Sequence, residues 1–252
     1  MKTRELIVFR NPKSPISEAF RTLRTNIQFS NIDKNMKCIV VTSSGPGEGK
    51  STVISNLAVT MAQADKRILL IDADLRKPRL HKIFSLFNRN GLTTVLSEEL
   101  DYKNVINSTE VDNLDILTSG PIPPNPAELL GSNRMREFLE KVKEDYDIVL
   151  LDAPPIGVVT DAAILSTKCD GTILVCAVGQ AVIEAAKNAK ELLQKVNANI
   201  LGVIMNKVPV NEGGYYKYHY YNYYQSYYDD EEKSSATNSR GRKRKKAIGG
   251  SK

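Results

Sequence analysis

From Lys37 onward, short apolar runs alternate with longer stretches in which apolar and charged residues recur at helical spacing. The runs are CIVVT (38–42), ILLID (68–72), LDIL (114–117), DIVLLD (147–152), TILVCAV (172–178) and ILGVIM (200–205). They are short for helices, and they lack the strict alternation of a strand with one wet face, so they predict strands covered on both sides. Between them, 50–64, 132–144 and 182–196 read as helices, the last through Ile183, Ala186, Ala189 or Lys190, and Leu193. Strands alternating with helices predict an α/β fold, a mostly parallel sheet with helices on both faces.

The first 36 residues stand outside this rhythm as a helical arm. Ser14 suits a helix cap and Pro15 a first turn, and Ile16, Phe20, Leu23 and Ile27 form one apolar stripe. Off that stripe Glu18, Arg21 and Arg24 recur every three residues, a spacing that fits an ordinary solvated face. Beyond Val208 periodicity ends. Nine of the fourteen residues 215–228 are tyrosine: Tyr215, Tyr216, Tyr218, Tyr220, Tyr221, Tyr223, Tyr224, Tyr227 and Tyr228. Acidic, Ser/Asn and basic blocks follow. Such a segment cannot bury a core, and its composition predicts a disordered tail. On composition alone the tyrosines are either a substrate or an inert aromatic tail. The expected organisation is thus 1–36, a helical arm; 37–208, one domain with a full core; and 209–252, a tail.

Charge first suggests nucleic acid, since the chain carries a formal +6. Residues 233–252, however, hold eight Lys/Arg and no Asp/Glu, and the other 232 residues carry 27 basic against 29 acidic side chains. The body is near neutral, and nucleic acid is not expected as its primary partner. Cys38, Cys169 and Cys176 lack metal-ligand spacing, and with only His81 and His219 present a histidine zinc site is not expected. Buried free thiols in a reducing cytosol are the expectation. No signal peptide or membrane-spanning run is evident.

The chemistry sits where strands end. After the first strand come Ser44, Gly45, Pro46, Gly47, Glu48, Gly49, Lys50, Ser51 and Thr52, leading straight into a helix. Glycines let backbone N–H groups close around phosphates, Lys50 offers a charge to the β- and γ-phosphates, and the Ser51 hydroxyl can ligate Mg²⁺. Ser44 stands where the usual loop begins with glycine. The second strand runs into Asp72, Ala73, Asp74, Leu75 and Arg76, which puts Asp72 and Asp74 on one side of an extended segment; the fourth ends at Asp152. Carboxylates at strand ends beside a phosphate loop suit the Mg²⁺ and attack machinery of phosphoryl transfer. Asn206 ends the last strand, either as a reader of adenine or as a turn former.

These motifs together resemble the bacterial tyrosine autokinases of capsule and exopolysaccharide synthesis, in the form with a detached cytoplasmic kinase subunit found in Gram-positive bacteria. The resemblance runs from residues 14–24 through the nucleotide motifs to the tyrosine cluster. It implies ATP and Mg²⁺ as cofactors, with Lys50 and Ser51 holding the triphosphate and metal. It also implies Asp72 as base for an incoming tyrosine, and Asp74 and Asp152 as supports for the metal and its waters. Glu18, Arg21 and Arg24 match the family's Glu-x-x-Arg-x-x-Arg self-association motif, which implies a ring of subunits. The acceptors would be protein tyrosines, the chain's own cluster included, and a separate transmembrane activator would recruit the cytoplasmic kinase to the inner face of the membrane. A chromosome-partitioning or division-site ATPase is the alternative. Those proteins carry a signature lysine where this chain has Gly45. A tail that binds RNA or a membrane surface is a weaker alternative, since the tyrosine and basic blocks are separated and not interleaved.

Overall fold

The computed structural model describes residues 6–30, 36–98 and 100–209. The tyrosine cluster and the basic block lie outside the described residues. Among the described residues seven strands form one sheet: β1 (Cys38–Ser43), β2 (Ile68–Asp72), β3 (Asn107–Ser108), β4 (Leu114–Leu117), β5 (Ile148–Asp152), β6 (Gly171–Ala177) and β7 (Ile200–Asn206). Their order is β3-β4-β2-β5-β1-β6-β7, with every pairing parallel except the short β3 against β4. All six anticipated strands are present; β3, two residues long, has too little sequence to carry a pattern.

The apolar runs are explained by a core on each side of the sheet. Cys38 and Val40 of β1 face one cluster, and Ile39 and Val41 face the other. On the first side lie α5 (Leu92–Glu98), α6 (Pro126–Gly131), α7 (Asn133–Asp145), α8 (Asp161–Ser166) and α9 (Ile183–Lys195). On the second lie α1 (Ile7–Arg10), α2 (Pro15–Ser30), α3 (Lys50–Ala62) and α4 (Leu80–Ile83). Helix α3 is buried nearly all round, with Thr52 its only exposed residue, because the sheet holds one side and α1 and α2 contribute to the same cluster from the other.

The arm is therefore part of this core. Ser14 caps α2 by accepting from the Ser17 N–H at 3.1 Å. Ile27 is buried, and Phe20 and Leu23 pack against the cluster. Ile16 departs from the expected stripe and is 53% exposed; Leu6 and Val8 of the preceding segment enter the cluster instead. Ile183 departs likewise at the first turn of α9 (67% exposed), whose buried contacts come later, from Ala189 and Leu193. No helix among the described residues is long and apolar enough to cross a membrane.

One polar side chain fixes the arm to the domain. Asn56, inside α3 and 1% exposed, accepts from the Val8 N–H at 3.2 Å and donates to the Thr52 carbonyl at 2.8 Å. Asn56→Ala strands the Val8 N–H in the core, which costs about 1–3 kcal/mol. Thermal unfolding should show a Tm lower by roughly 2–4 °C per kcal/mol for a domain of this size; an unchanged Tm would mean that the arm does not unfold with the domain.

Candidate functional site

Strands β2, β5 and β1 are adjacent and parallel, so their C-terminal ends open on one edge, where ligands of such sheets bind. There the sequence ends β1 in the glycine loop, β2 in Asp72 and β5 in Asp152. Register places Asp72 directly beside Asp152. The Lys50 ammonium lies 2.9 Å from Asp74 Oδ2, 3.3 Å from Asp152 Oδ1 and 3.4 Å from the Ser51 hydroxyl. Every one of these side chains is buried. The structure thus brings together Lys50, Ser51, Asp72, Asp74 and Asp152 as the motifs suggested.

Burial governs the protonation of this group. It draws the Lys50 ammonium down, but the neighbouring Asp152 and Asp74 carboxylates outweigh it, and its pKa is raised. Asp152 is pushed up by burial, with Lys50 opposing. Asp72 is pushed up to about 8 by burial first and by the Asp152 carboxylate second, against the Leu80 N–H and Lys50. Its Oδ2 accepts from the Arg79 and Leu80 N–H groups at 3.0 and 2.9 Å, at the start of α4. Asp72 Oδ1 and Asp152 Oδ2 are buried with no hydrogen-bond partner among the described residues.

Asp152 Oδ2 and the Ser51 hydroxyl are hard donors of the kind Mg²⁺ takes, while Asp72 Oδ1 is left for another proton or hydroxyl. Among the described residues no three His, Cys, Asp or Glu side chains converge to cage a metal.

The loop itself needs glycine. Gly47 and Gly49 have φ of 76° and 90°, and a Cβ on Gly49 would lie 2.3 Å from Asn206 Nδ2. Asn206 donates that nitrogen to the Glu48 carbonyl at 2.8 Å, which braces the loop from β7. Two further braces were not anticipated: Gln180 Nε2 donates to the Pro46 carbonyl at 3.0 Å, and Lys207 Nζ to the Gly47 carbonyl at 2.8 Å. Ser44 donates to Glu48 Oε1 at 2.5 Å, a closure that its departure from glycine makes possible. Gly157, in the segment after β5, packs so closely that a Cβ would sit 2.4 Å from the Ser44 carbonyl oxygen. Arg76 forks onto buried Asp161 at the start of α8, with both bonds 2.9 Å, and so joins the segments that follow β2 and β5. Spacing could not pair residues 85 positions apart; the only local signal was an acid opening a helix.

Away from this edge, Arg21 NH1 pairs with Glu18 at 2.7 Å and Arg24 reaches the Thr60 carbonyl at 3.0 Å. A second cleft, about 620 Å³, is lined by Arg67, Tyr102, Lys103, Asp115 and Asp145. Arg67 is paired with Asp147 and Lys103 with Asp145, so it offers no unpaired cation to a phosphate.

The Asp72 shift has a testable sign. An unfolded aspartate titrates near ~3.9, so between about pH 4 and 8 the folded chain holds a proton that the unfolded chain has lost. That contribution is complete below about pH 4 and is lost as pH rises through about 8. Asp72→Asn mimics the protonated form. In nucleotide-free protein its Tm should gain on the wild type steadily from about pH 5 to about pH 9; parallel Tm curves would contradict the shift.

Comparison with known proteins agrees with this geometry. A family model described as an AAA domain matches residues 36–204. The chain is 47% identical to tyrosine-protein kinase YwqD of Bacillus subtilis over 215 residues, 85% of this chain and 91% of that protein. It superposes on the chimerical protein CapA2B2 with TM-score 0.78 and 44% identity, covering 81% of this chain and 90% of that one. More distantly, the septum site-determining protein MinD of Pyrococcus horikoshii, solved with Mg-ADP, matches with TM-score 0.60 and 25% identity over 70% of this chain and 72% of that one. The chain belongs to the family of bacterial tyrosine-protein kinases, and is itself a nucleotide-binding protein-tyrosine kinase.

Proposed function

We propose that this kinase transfers the γ-phosphoryl group of ATP to its own tyrosines between 215 and 228. In this reading transfer runs in trans within a ring held by Glu18, Arg21 and Arg24, and it regulates capsular or extracellular polysaccharide synthesis. The observation that carries it is the convergence of Lys50, Asp74 and Asp152 around Asp72 at one sheet edge. Lys50 exchanges its carboxylate partners for the phosphates, and the N–H groups of the glycine loop hold the remaining oxygens. Ser51 would hold Mg²⁺, with Asp74 and Asp152 supporting it and its waters, and the metal would supply charge neutralisation for the transferred phosphoryl group.

Asp72 is suited to the proton. The tyrosine oxygen bonds to phosphorus, the bond to ADP breaks, and the phenolic proton passes to Asp72, whose Oδ1 is not committed to another group. A phenol near ~10 is a weak nucleophile, but the loose transition state asks mainly for positioning and late proton removal. In the nucleotide-free chain an aspartate lifted to about 8 is protonated near neutral pH, so Asp72 acts as base from its ionised form, which then holds the phenolic proton better than an ordinary aspartate would. Asn206, at the end of β7, is our candidate for contact with adenine through the part of its amide not spent on Glu48.

The chimerical nature of CapA2B2 supports a two-component system, with a separate transmembrane activator recruiting this kinase to the inner face of the membrane. The division-site ATPase reading draws on the fold shared with MinD. It lacks support from the loop, where Gly45 takes the place of the signature lysine.

Incubation with Mg-ATP, with and without an activator fragment, should place phosphotyrosine between residues 215 and 228. Lys50→Met should reduce it by about 100-fold or more. ATP turnover with no phosphotyrosine there under either condition would favour the ATPase reading. Mixing Lys50→Met protein with an active variant ending at Val208 separates the routes: phosphate on the Lys50→Met chain means transfer in trans. Its absence, in a mixture where each chain is folded, means transfer in cis.

A further inference from the structure

Two thiols meet at the opposite end of β1 from the phosphate loop. Cys38, the first residue of β1, is 0% exposed, and Cys169, in the turn between α8 and β6, is half-buried. Their sulfurs are 3.0 Å apart, about 1 Å beyond the ~2.05 Å of a disulfide bond. The backbone around them is already clamped. The Asp170 carboxylate accepts from the Lys37 and Cys38 N–H groups, both at 2.8 Å, and the Asp170 N–H donates to the Cys38 carbonyl at 2.8 Å. The Lys143 ammonium stands 3.8 Å from Asp170 and within electrostatic reach of Cys38. Cys176 lies further along β6 beside Ser44 and Glu48, outside this arrangement.

We propose that Cys38 and Cys169 form a reversible disulfide, with hydrogen peroxide as oxidant, and that this bond locks the base of the β1–β6 pair. Exposure sets the order of events. Cys169, the accessible sulfur, attacks one peroxide oxygen; the O–O bond breaks, and the departing hydroxide takes the thiol proton and leaves as water. The resulting sulfenic acid faces Cys38. The Cys38 sulfur then attacks Cys169, the S–O bond breaks, and the second hydroxide leaves as water with the Cys38 proton. Two thiols are oxidised by two electrons and one peroxide is reduced to two waters. Burial first, and contact with Cys169 second, hold the Cys38 thiol well above its ordinary pKa, so it acts as the resolving partner and not the first nucleophile.

The consequence is stability and not a block of catalysis. The five strand residues after Cys38 separate the pair from the glycine loop, roughly 20 Å of chain. The bond joins positions 131 residues apart and so removes a large loop from the unfolded ensemble.

The test uses the full reduced chain, treated with hydrogen peroxide, then unfolded in denaturant with N-ethylmaleimide so that buried free thiols are blocked, and mapped by mass spectrometry. The expected product is a peptide pair joined through Cys38 and Cys169, with Cys176 alkylated. Its Tm should rise by about 5–10 °C and fall back on reduction with dithiothreitol. Cys169→Ser and, separately, Cys38→Ala should abolish both changes, while Cys176→Ser should leave them intact. Alkylation of all three cysteines after peroxide, accumulation of Cys169 as sulfinate, or a bond to Cys176 or a second chain would each overturn the assignment. A Cys38–Cys169 bond without a rise in Tm would overturn the lock.

Discussion

One buried ammonium holds this site together. Three aspartates end in the same low-dielectric region, two of them side by side on neighbouring strands, and without Lys50 their mutual repulsion would oppose the fold. Lys50 can serve there only because the glycine loop turns tightly enough to start α3 beneath β1. The loop's shape, the strand order and the protonation of the carboxylates are therefore one problem with one solution. In the function proposed above a nucleotide competes for the same charge, so its binding is coupled to the electrostatics of the resting fold.

Around that centre the structure spends its polar contacts on rigidity. Asn206, Gln180 and Lys207 each hold a carbonyl of the phosphate loop. Thr42 donates to the Pro154 carbonyl and accepts from the Ile156 N–H, tying the segment after β5 to β1. Arg76 and Asp161 add a forked bond between the segments after β2 and β5. Phosphoryl transfer rewards such fixed positioning, because most of its catalysis is geometry and charge.

What the sequence disclosed follows from how far each signal reaches. Strands buried on both faces leave continuous apolar runs, and a phosphate loop leaves contiguous glycines, so β1, β2, β5 and their carboxylates were legible. Periodicity names the face of a helix but not where its partner ends, which is why Ile16 and Ile183 reach solvent. The braces are single polar residues far apart in the chain, and nothing local distinguishes Gln180 from any glutamine in a turn. Asn56 is similar: its role depends on a backbone N–H that another helix delivers.

Asn206 and Lys207 occupy a particular place in the chain, gripping the Glu48 and Gly47 carbonyls just before residue 209. The segment that carries the tyrosines is the direct covalent continuation of that grip. Any pull on that segment is carried along the backbone to the two side chains that grip the phosphate loop, so the loop is mechanically continuous with the chain that follows β7.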